Sequence, residues 1–382
     1  MKKVLLLTDF SSAYSRNLLR GIVRYSREHE PWIFFRMPRY YREVHGDNGV
    51  VNWAKKWKAD AIIAQLDNIN LNNISKLKVP IIIQNYRDRA NTICNITGDY
   101  IKTGVMAADF FLSRGFSNFA YYGFKDMIWS RERADGFKNR IEEAGFQVSV
   151  LNTKNRKDED WSLDATTVSD WLFSLPKPVA LFACDDHFAS QITEICKIYN
   201  IAVPDEVSVL GVDNDDLICN ITDPPLSSIV LEVDKGGYQA GQILHQLMNG
   251  EIEQAIDIVI PPLRVELRKS TDKYAVNDKY ILQTIDYIKK NYTQTISVTD
   301  IIRLVPLSRR VLEKRFKKEM GISIYQFILN YKMEQFSQSI IKTNRPLVDL
   351  AMESGFDYYK NITRTFKKYK GTTPLQYRKS HR

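Results

Sequence analysis

Over its first 270 residues the chain alternates short, unbroken apolar runs with longer stretches whose apolar positions recur at helical spacing. The runs VLLLT (4–8), IFFRM (33–37), AIIAQL (61–66), PIIIQN (80–85), FAYYGF (119–124), VSVLN (148–152), VALFACD (179–185) and VSVLGVD (207–213) predict buried strands. The stretches 15–28, 100–114, 131–144, 187–199 and 235–249 predict amphipathic helices between them. Strands apolar on both faces and separated by helices belong in parallel sheets covered on both sides. About 250 residues of this pattern suit two doubly wound lobes side by side. In such sheets ligands gather beyond the carboxyl ends of the strands.

After PPLRVELRKST (261–271) the texture changes. A short polar linker, 272–278, leads into a stretch that reads as helix throughout, so the chain divides into 1–271, the linker and an all-α domain over 279–382. Ile281, Ile285 and Ile288 share one face of its first helix. This domain contains a repeat: LEKRFKKEMGISIYQF (312–327) returns fifty positions later as ITRTFKKYKGTTPLQY (362–377). Val298, Ile301 and Ile302 answer Val348, Ala351 and Met352 at the same offset. A constant offset means that one supersecondary unit is built twice.

Charge separates the two parts more sharply than composition does. The whole chain has a formal net charge of +9, but residues 271–382 carry 22 Lys and Arg against 10 Asp and Glu, leaving a slightly acidic front. A helical domain at about +12 calls for a polyanion, nucleic acid first. No run approaches the ~20 apolar residues of a membrane span. The apolar stretch after MKK stops at Asp9 with no small-residue cleavage site, so it reads as a first strand. Cys94, Cys184, Cys196 and Cys219 have neither metal nor disulfide spacing, which points to a reduced, cytoplasmic protein. Phosphate loops, the Gly-x-Ser-x-Gly elbow and paired-histidine metal motifs are missing, and no catalytic or metal-binding residue is assigned.

Each copy of the repeat predicts a short helix (298–304; 347–353), a turn marked by Pro306 or Gly355, and a second helix (308–318; 358–368). Ser308 is placed to cap the second helix of the first copy. Leu312 and Phe316, like Ile362 and Phe366, are four apart and face inward. Their outward neighbours are Arg309, Arg310, Glu313 and Lys314, then Tyr359, Lys360, Asn361 and Arg364, groups suited to base edges and phosphates in a major groove. Two helix-turn-helix units joined by a helix over 324–341 would enter two successive grooves. The plainer reading is a helical bundle with basic solvent faces.

LSRRVLEKRFKKEMGIS and LAMESGFDYYKNITRTFKKYKGTTPLQYR resemble the two halves of the AraC family DNA-binding domain. Pro306 stands where that family usually has Gly. RERADGF (131–137), LFACDDHFA (181–189), VPDEVSVLGVDN (203–214), LSSI (226–229) and IPPLRVELRKST (260–271) resemble the sugar-sensing core of LacI-type repressors, which has the periplasmic-sugar-binding fold. The usual N-terminal DNA headpiece of that family is not expected here, because MKKVLLLTDF already reads as the first strand. The order, sensor first and AraC-type reader behind, resembles that of bacterial pentose-operon regulators. The resemblance implies a sugar-responsive transcription regulator and activator with no cofactor. Its leading effector would be D-xylose, its partners operator DNA, a second copy in a homodimer, and RNA polymerase as a further candidate. The residues leave open arabinose, ribose or a hexose, and also a sugar-metabolising enzyme with a basic tail.

A pyranose presents hydroxyls that donate and accept and one apolar C–H face, so its site needs carboxylates, Asn or Arg, and an aromatic ring. Strand ends supply these: Asp67 after AIIAQL, Asp185 and Asp186 after LFAC, and Asp213 with Asn214 after VLGV. By resemblance, Arg133, Asp185 and Asp213 match positions that contact sugar in the LacI-type core. Asp67, Tyr14 and Trp129 are candidates by location. Asp186 has a plainer reading as a helix N-cap, and Trp129 as a core or lobe-interface residue.

Overall fold

The computed structural model describes all residues but Asp9, 67–70, 86–88, 154–164, Asn277, 357–358 and 381–382. It divides into two compact units, Met1–Leu112 with Ser117–Lys273, and Tyr274–Arg382 with Ser113–Phe116.

The first unit has two lobes. One runs β1 (Lys3–Leu7), α1 (Ala13–Glu28), β2 (Ile33–Arg36), α2 (Arg39–Trp57), β3 (Ala61–Leu66), α3 (Leu71–Ile74), β4 (Ile81–Asn85) and β5 (Cys94–Gly98). The other runs α4 (Tyr100–Leu112), β6 (Phe119–Phe124), α5 (Ile128–Glu143), β7 (Val148–Thr153), α6 (Ala165–Ser174), β8 (Val179–Ala183), α7 (Asp186–Ile198), β9 (Val207–Val212), α8 (Asp216–Ile221) and β10 (Ser227–Leu231). The chain returns through α9 (Val233–Met248) to the first lobe's β11 (Ile258–Ile260), then crosses again into β12 (Pro262–Glu266). The sheet orders are β11-β5-β4-β3-β1-β2 and β12-β10-β9-β8-β6-β7.

Burial explains why the central strands read so clearly. Every residue of β8 and β9 is buried, as the unbroken apolar runs require, whereas the edge strand β7 alternates toward solvent. Four strands escape the sequence reading. CNITG in β5 and SSIVL in β10 open on polar residues that the fold buries, and β11 and β12 are short pieces separated by Pro261. The expected doubly wound parallel sheets are present, with one antiparallel edge where β12 pairs with β10. Helix α2 was also illegible, because Gly46 breaks its helical dihedrals (φ 57, ψ −168) and its apolar face.

The lobes are joined by three passages of chain, at Asp99, Glu232 and Pro261. These lie side by side, with Asp99 N donating to Ile260 O (2.9 Å) and Glu232 N to Pro261 O (3.0 Å). Two helix pairs pack backbone to backbone across glycines. A Cβ on Gly21 of α1 would sit 1.9 Å from Asp234 O on α9, and one on Gly104 of α4 would sit 2.2 Å from Arg133 O on α5. The second of these close approaches fixes Arg133 in place from behind.

The second unit comprises α10 (Lys279–Asn291), α11 (Val298–Ile302), α12 (Arg309–Met320), α13 (Ile324–Lys342), α14 (Leu347–Glu353), α15 (Tyr359–Lys370) and α16 (Pro374–Ser380). The repeated residues do the same work twice. Leu312 and Phe316, like Ile362 and Phe366, are buried. The repeated aromatic packs edge-on against the repeated Phe, Phe327 on Phe316 at 5.4 Å and Tyr377 on Phe366 at 5.3 Å. The repeated glycines, Gly321 and Gly371, take φ of +71° and +77° at the ends of α12 and α15, where a left-handed residue stops a helix cleanly. Ser308 does precede α12, but its side chain makes no capping hydrogen bond. Ser297 instead forms a full capping box with Asp300 ahead of α11.

Candidate functional site

In the first unit, polar groups converge where β8 and β9 end. Arg133, 3% exposed, enters from α5. Its Nη1 donates to Cys184 O at 2.5 Å and its Nη2 lies 3.6 Å from Asp213 Oδ1. The guanidinium stands 5.6 Å from the Tyr100 ring centre and 5.3 Å from that of Trp129. Beyond β9 the backbone turns through two successive positive-φ residues, Asp213 (φ 98) and Asn214 (φ 49), a conformation uncommon outside glycine that Asp and Asn enter more readily than other residues. Bonds from Asp213 N to Ile229 O (3.0 Å) and Asn214 N to Ser228 Oγ (3.0 Å) hold this corner. Strain of this kind persists where the surroundings impose it, and here it aims a carboxylate and an amide out of the strand end.

Those groups are under-used within the protein. Asp213 Oδ1, Asn214 Oδ1 and Arg133 Nε are buried atoms with no hydrogen-bond partner, as is Thr8 Oγ1 at the end of β1. Buried polar atoms are nearly always satisfied, so the Asp213, Asn214 and Arg133 groups make this strand end a candidate place for a polar guest. Burial pushes the Asp213 carboxyl up to about 6, against the pull of Arg133 and with help from nearby Asp185. Burial lowers the Arg133 pKa, but Asp213, Tyr100 and Tyr121 outweigh it and the net direction is upward. About a quarter of the Asp213 side chain (24%) remains accessible, so a ligand can reach it.

The neighbouring carboxylates have distinct tasks. Asp185 is the N-cap of α7, its Oδ1 accepting from Phe188 N at 2.8 Å. The capping role considered for Asp186 therefore belongs to Asp185. Asp186 is buried and accepts from Ser228 Oγ (2.6 Å) and Asp215 N (2.7 Å), which makes it the brace behind the Asp213 corner. Burial, then the Asp213 charge, pushes its pKa well up. Asp215, not singled out by sequence, reaches across to the first lobe: its Oδ2 accepts from Ala13 N (2.8 Å) at the start of α1 and from Arg16 Nη2 (3.2 Å). A second clasp joins Arg89 of the first lobe to Glu132 of α5 through paired bonds of 2.6 and 2.7 Å. Nothing local in the sequence tells that an oxygen of Asp215 grips a different lobe.

Of the remaining candidates, Tyr14 is buried in the first turn of α1. Trp129 is half-buried in the first turn of α5, edge-on to Phe124 at 5.9 Å. Asp67 lies outside the described residues. Gln65 and Gln84, near the ends of β3 and β4, were missed: Gln65 Nε2 donates to Ser15 Oγ (2.8 Å) and Gln84 Oε1 (3.0 Å). A glutamine inside an otherwise apolar strand was the available signal. Among the described residues no cluster of His, Cys, Asp or Glu could hold a metal ion. All four cysteines are free and buried.

In the second unit, Arg309, Arg310 and Lys314 are exposed on α12, and Arg309 Nε donates to Glu313 Oε1 at 3.0 Å. Arg364 is exposed on α15. The side chains of Tyr359, Lys360 and Asn361 lie outside the described residues. Both helices follow a short helix and a turn and bury their opposite faces, the geometry of paired DNA-reading helices.

A two-lobed sensor with a strand-end polar site and a duplicated helix-turn-helix unit define a sugar-responsive transcription regulator, and the chain belongs to the AraC-type helix-turn-helix family. Residues 108–271 match the periplasmic binding protein-like domain, and residues 302–380 a helix-turn-helix domain. Over nearly its whole length the chain is similar to the xylose operon regulatory protein of Escherichia coli K12, with 27% identity covering 98% of this chain and 96% of that one. Its helical part is 32% identical to the multiple antibiotic resistance protein MarA of the same strain, covering 84% of MarA and 29% of this chain. A solved xylose-binding transcription activator superposes with a TM-score of 0.62 at 26% identity, covering 99% of this chain and 97% of that one. A LacI family regulator from Enterococcus faecium, solved with bound ribose, shares the sensor fold at a TM-score of 0.58 and 18% identity, covering 72% of this chain and all of the other.

Proposed function

We propose that the chain is a D-xylose-responsive activator of pentose-utilisation genes, acting in the cytoplasm as a homodimer. The observation that carries the effector site is the Asp213–Asn214 corner, where two acceptors lack hydrogen-bond partners and Asp213 faces the Arg133 guanidinium beside the Trp129 ring. Hydroxyls of a sugar donate to Asp213 and Asn214 and accept from Arg133, and the indole offers a surface for the C–H face. The choice of xylose over another pentose follows the regulators that share nearly the whole chain.

Sugar held between the lobes reinforces the Asp215–Ala13 and Arg89–Glu132 clasps and favours the closed sensor. Closure alters how two sensors pair, and so how the readers meet two half-sites and RNA polymerase. Arg309, Arg310, Glu313 and Lys314 would read one groove, and Tyr359, Lys360, Asn361 and Arg364 the next. A thermal-shift screen over monosaccharides tests the effector, since a ligand at a hundred times its Kd stabilises the folded state by about 2.7 kcal/mol. D-xylose should give the largest rise. A larger rise with arabinose, ribose or a hexose reassigns the effector, and turnover of a pentose by the pure protein would point to an enzyme instead.

A further inference from the structure

The two halves of the helical unit have separate cores. Helix α13 contributes Ile324, Phe327 and Ile328 to the first and Met333, Phe336 and Ile340 to the second. Neither core alone fixes the angle and spacing between α12 and α15. Lys332 stands at the step from one core to the other and is 6% exposed, unusual burial for an ammonium group. Its Nζ donates to Gln294 O at 2.7 Å and to Gly355 O at 2.6 Å.

The two carbonyls come from opposite halves. Gln294 lies between α10 and α11, ahead of the first helix-turn-helix, and Gly355 is the turn of the second. At Gly355, φ is +79°, and a Cβ would stand 2.1 Å from Tyr292 O and 2.6 Å from Lys332 Nζ. The turn of the second reader is thus pressed against the loop before the first, and the ammonium is tied to both sides of the junction.

We infer that Lys332 is a positioning residue that sets the spacing between the two DNA-reading helices. This rests on reading α12 and α15 as the helices that enter successive grooves. Two linked readers gain affinity only when the linkage lets both engage at once, an advantage of up to about 10²–10⁴-fold. A junction held in one geometry keeps that advantage for one box spacing. A loosened junction loses part of it and becomes less particular about spacing.

The test uses the full chain and a duplex that the wild-type protein selects from a random-sequence library, with its protected boxes mapped by hydroxyl-radical footprinting. Lys332→Met keeps the apolar stem and removes the donors. It should bind the two-box duplex about tenfold or more weakly while binding duplexes with either box scrambled within about twofold of wild type. Inserting one base pair between the boxes should cost the variant less than it costs wild type, and Lys332→Arg should recover most of the affinity. Equal losses on two-box and one-box duplexes, or no loss on either, overturn the proposal while leaving the two-groove reading intact. A single protected box in wild type overturns both. Should the Met variant fail to fold by circular dichroism, Lys332→Gln is read on the same spacing series, and an unchanged spacing preference overturns the proposal.

Discussion

The proposed contact between sugar and the Asp213 carboxylate predicts that affinity depends on pH with a definite sign. In the free protein its pKa is about 6 against an ordinary 3.8, with burial the first cause. Its ionised form is therefore disfavoured in the folded state, and the stability it contributes is present below the ordinary pKa and lost as pH rises through 6. On the proposed contact, sugar hydroxyls would donate to the ionised form, so binding should draw the pKa back down. Affinity then has the opposite trend, full above pH 7 and falling as pH drops through 6. If the bound pKa returns to about 4, removing the proton at pH 5 costs about one unit, so affinity there is about tenfold below that at pH 7.5. Arg133, Asp185, His187 and Asp215 also act on the group, so the control is Asp213→Asn, which suits the left-handed backbone (φ 98) and cannot titrate. Losing a charge-assisted bond of about 1.5–3 kcal/mol should weaken xylose binding by about 10- to 100-fold and flatten the step. Asp213→Ala should lose at least as much. Calorimetry from pH 5 to 7.5 reads both effects, with proton release that grows as pH falls from 7 toward 5 in wild type only. A wild-type profile that is flat, or unchanged affinity in the Asn variant, refutes the reasoning.

DNA binding by the full chain should fall steeply with salt, log K dropping linearly with log salt concentration as counterions are released, which anisotropy titrations at several salt concentrations measure. Arg309→Ala with Arg310→Ala should erase one part of a footprint, and Lys360→Ala with Arg364→Ala another, each lost base contact being worth about 1–3 kcal/mol; loss over the same bases in both would refute the two-groove reading. Gly355→Ala should lower thermal stability by more than about 1 kcal/mol, because φ there is +79° and the added methyl meets Tyr292 O, and a melting curve unchanged from wild type would refute that packing.

The sequence disclosed what repeats or persists. Unbroken apolar runs revealed the central strands because parallel strands are buried on both faces, and the FKK–Gly–aromatic repeat revealed two copies of one unit because Phe316 and Phe366 need the same neighbours. It was weakest where a residue's meaning depends on a distant partner. The serines opening β10 look like loop, yet Ser228 is the donor that braces Asp186. Asp215 looks like a helix cap and is one, through Oδ1 to Leu217 N, but its other oxygen meets α1 some two hundred residues away. Lys332 looks like one more charge on a basic helix, and only the packing of two loops against α13 makes it a buried link. Arg133 and Asp213 were singled out through resemblance, while their 3.6 Å approach and the left-handed corner beside it come from the fold.

The central claim is that one chain senses a pentose and reads DNA in response. The most direct measurement is a footprint of the full-length protein on its selected duplex, with and without D-xylose at saturating concentration. The account predicts protection of successive major grooves whose extent or affinity changes on adding xylose, with the change abolished in Asp213→Ala while sugar-free DNA binding persists. A footprint indifferent to xylose and to every other monosaccharide tested would contradict it.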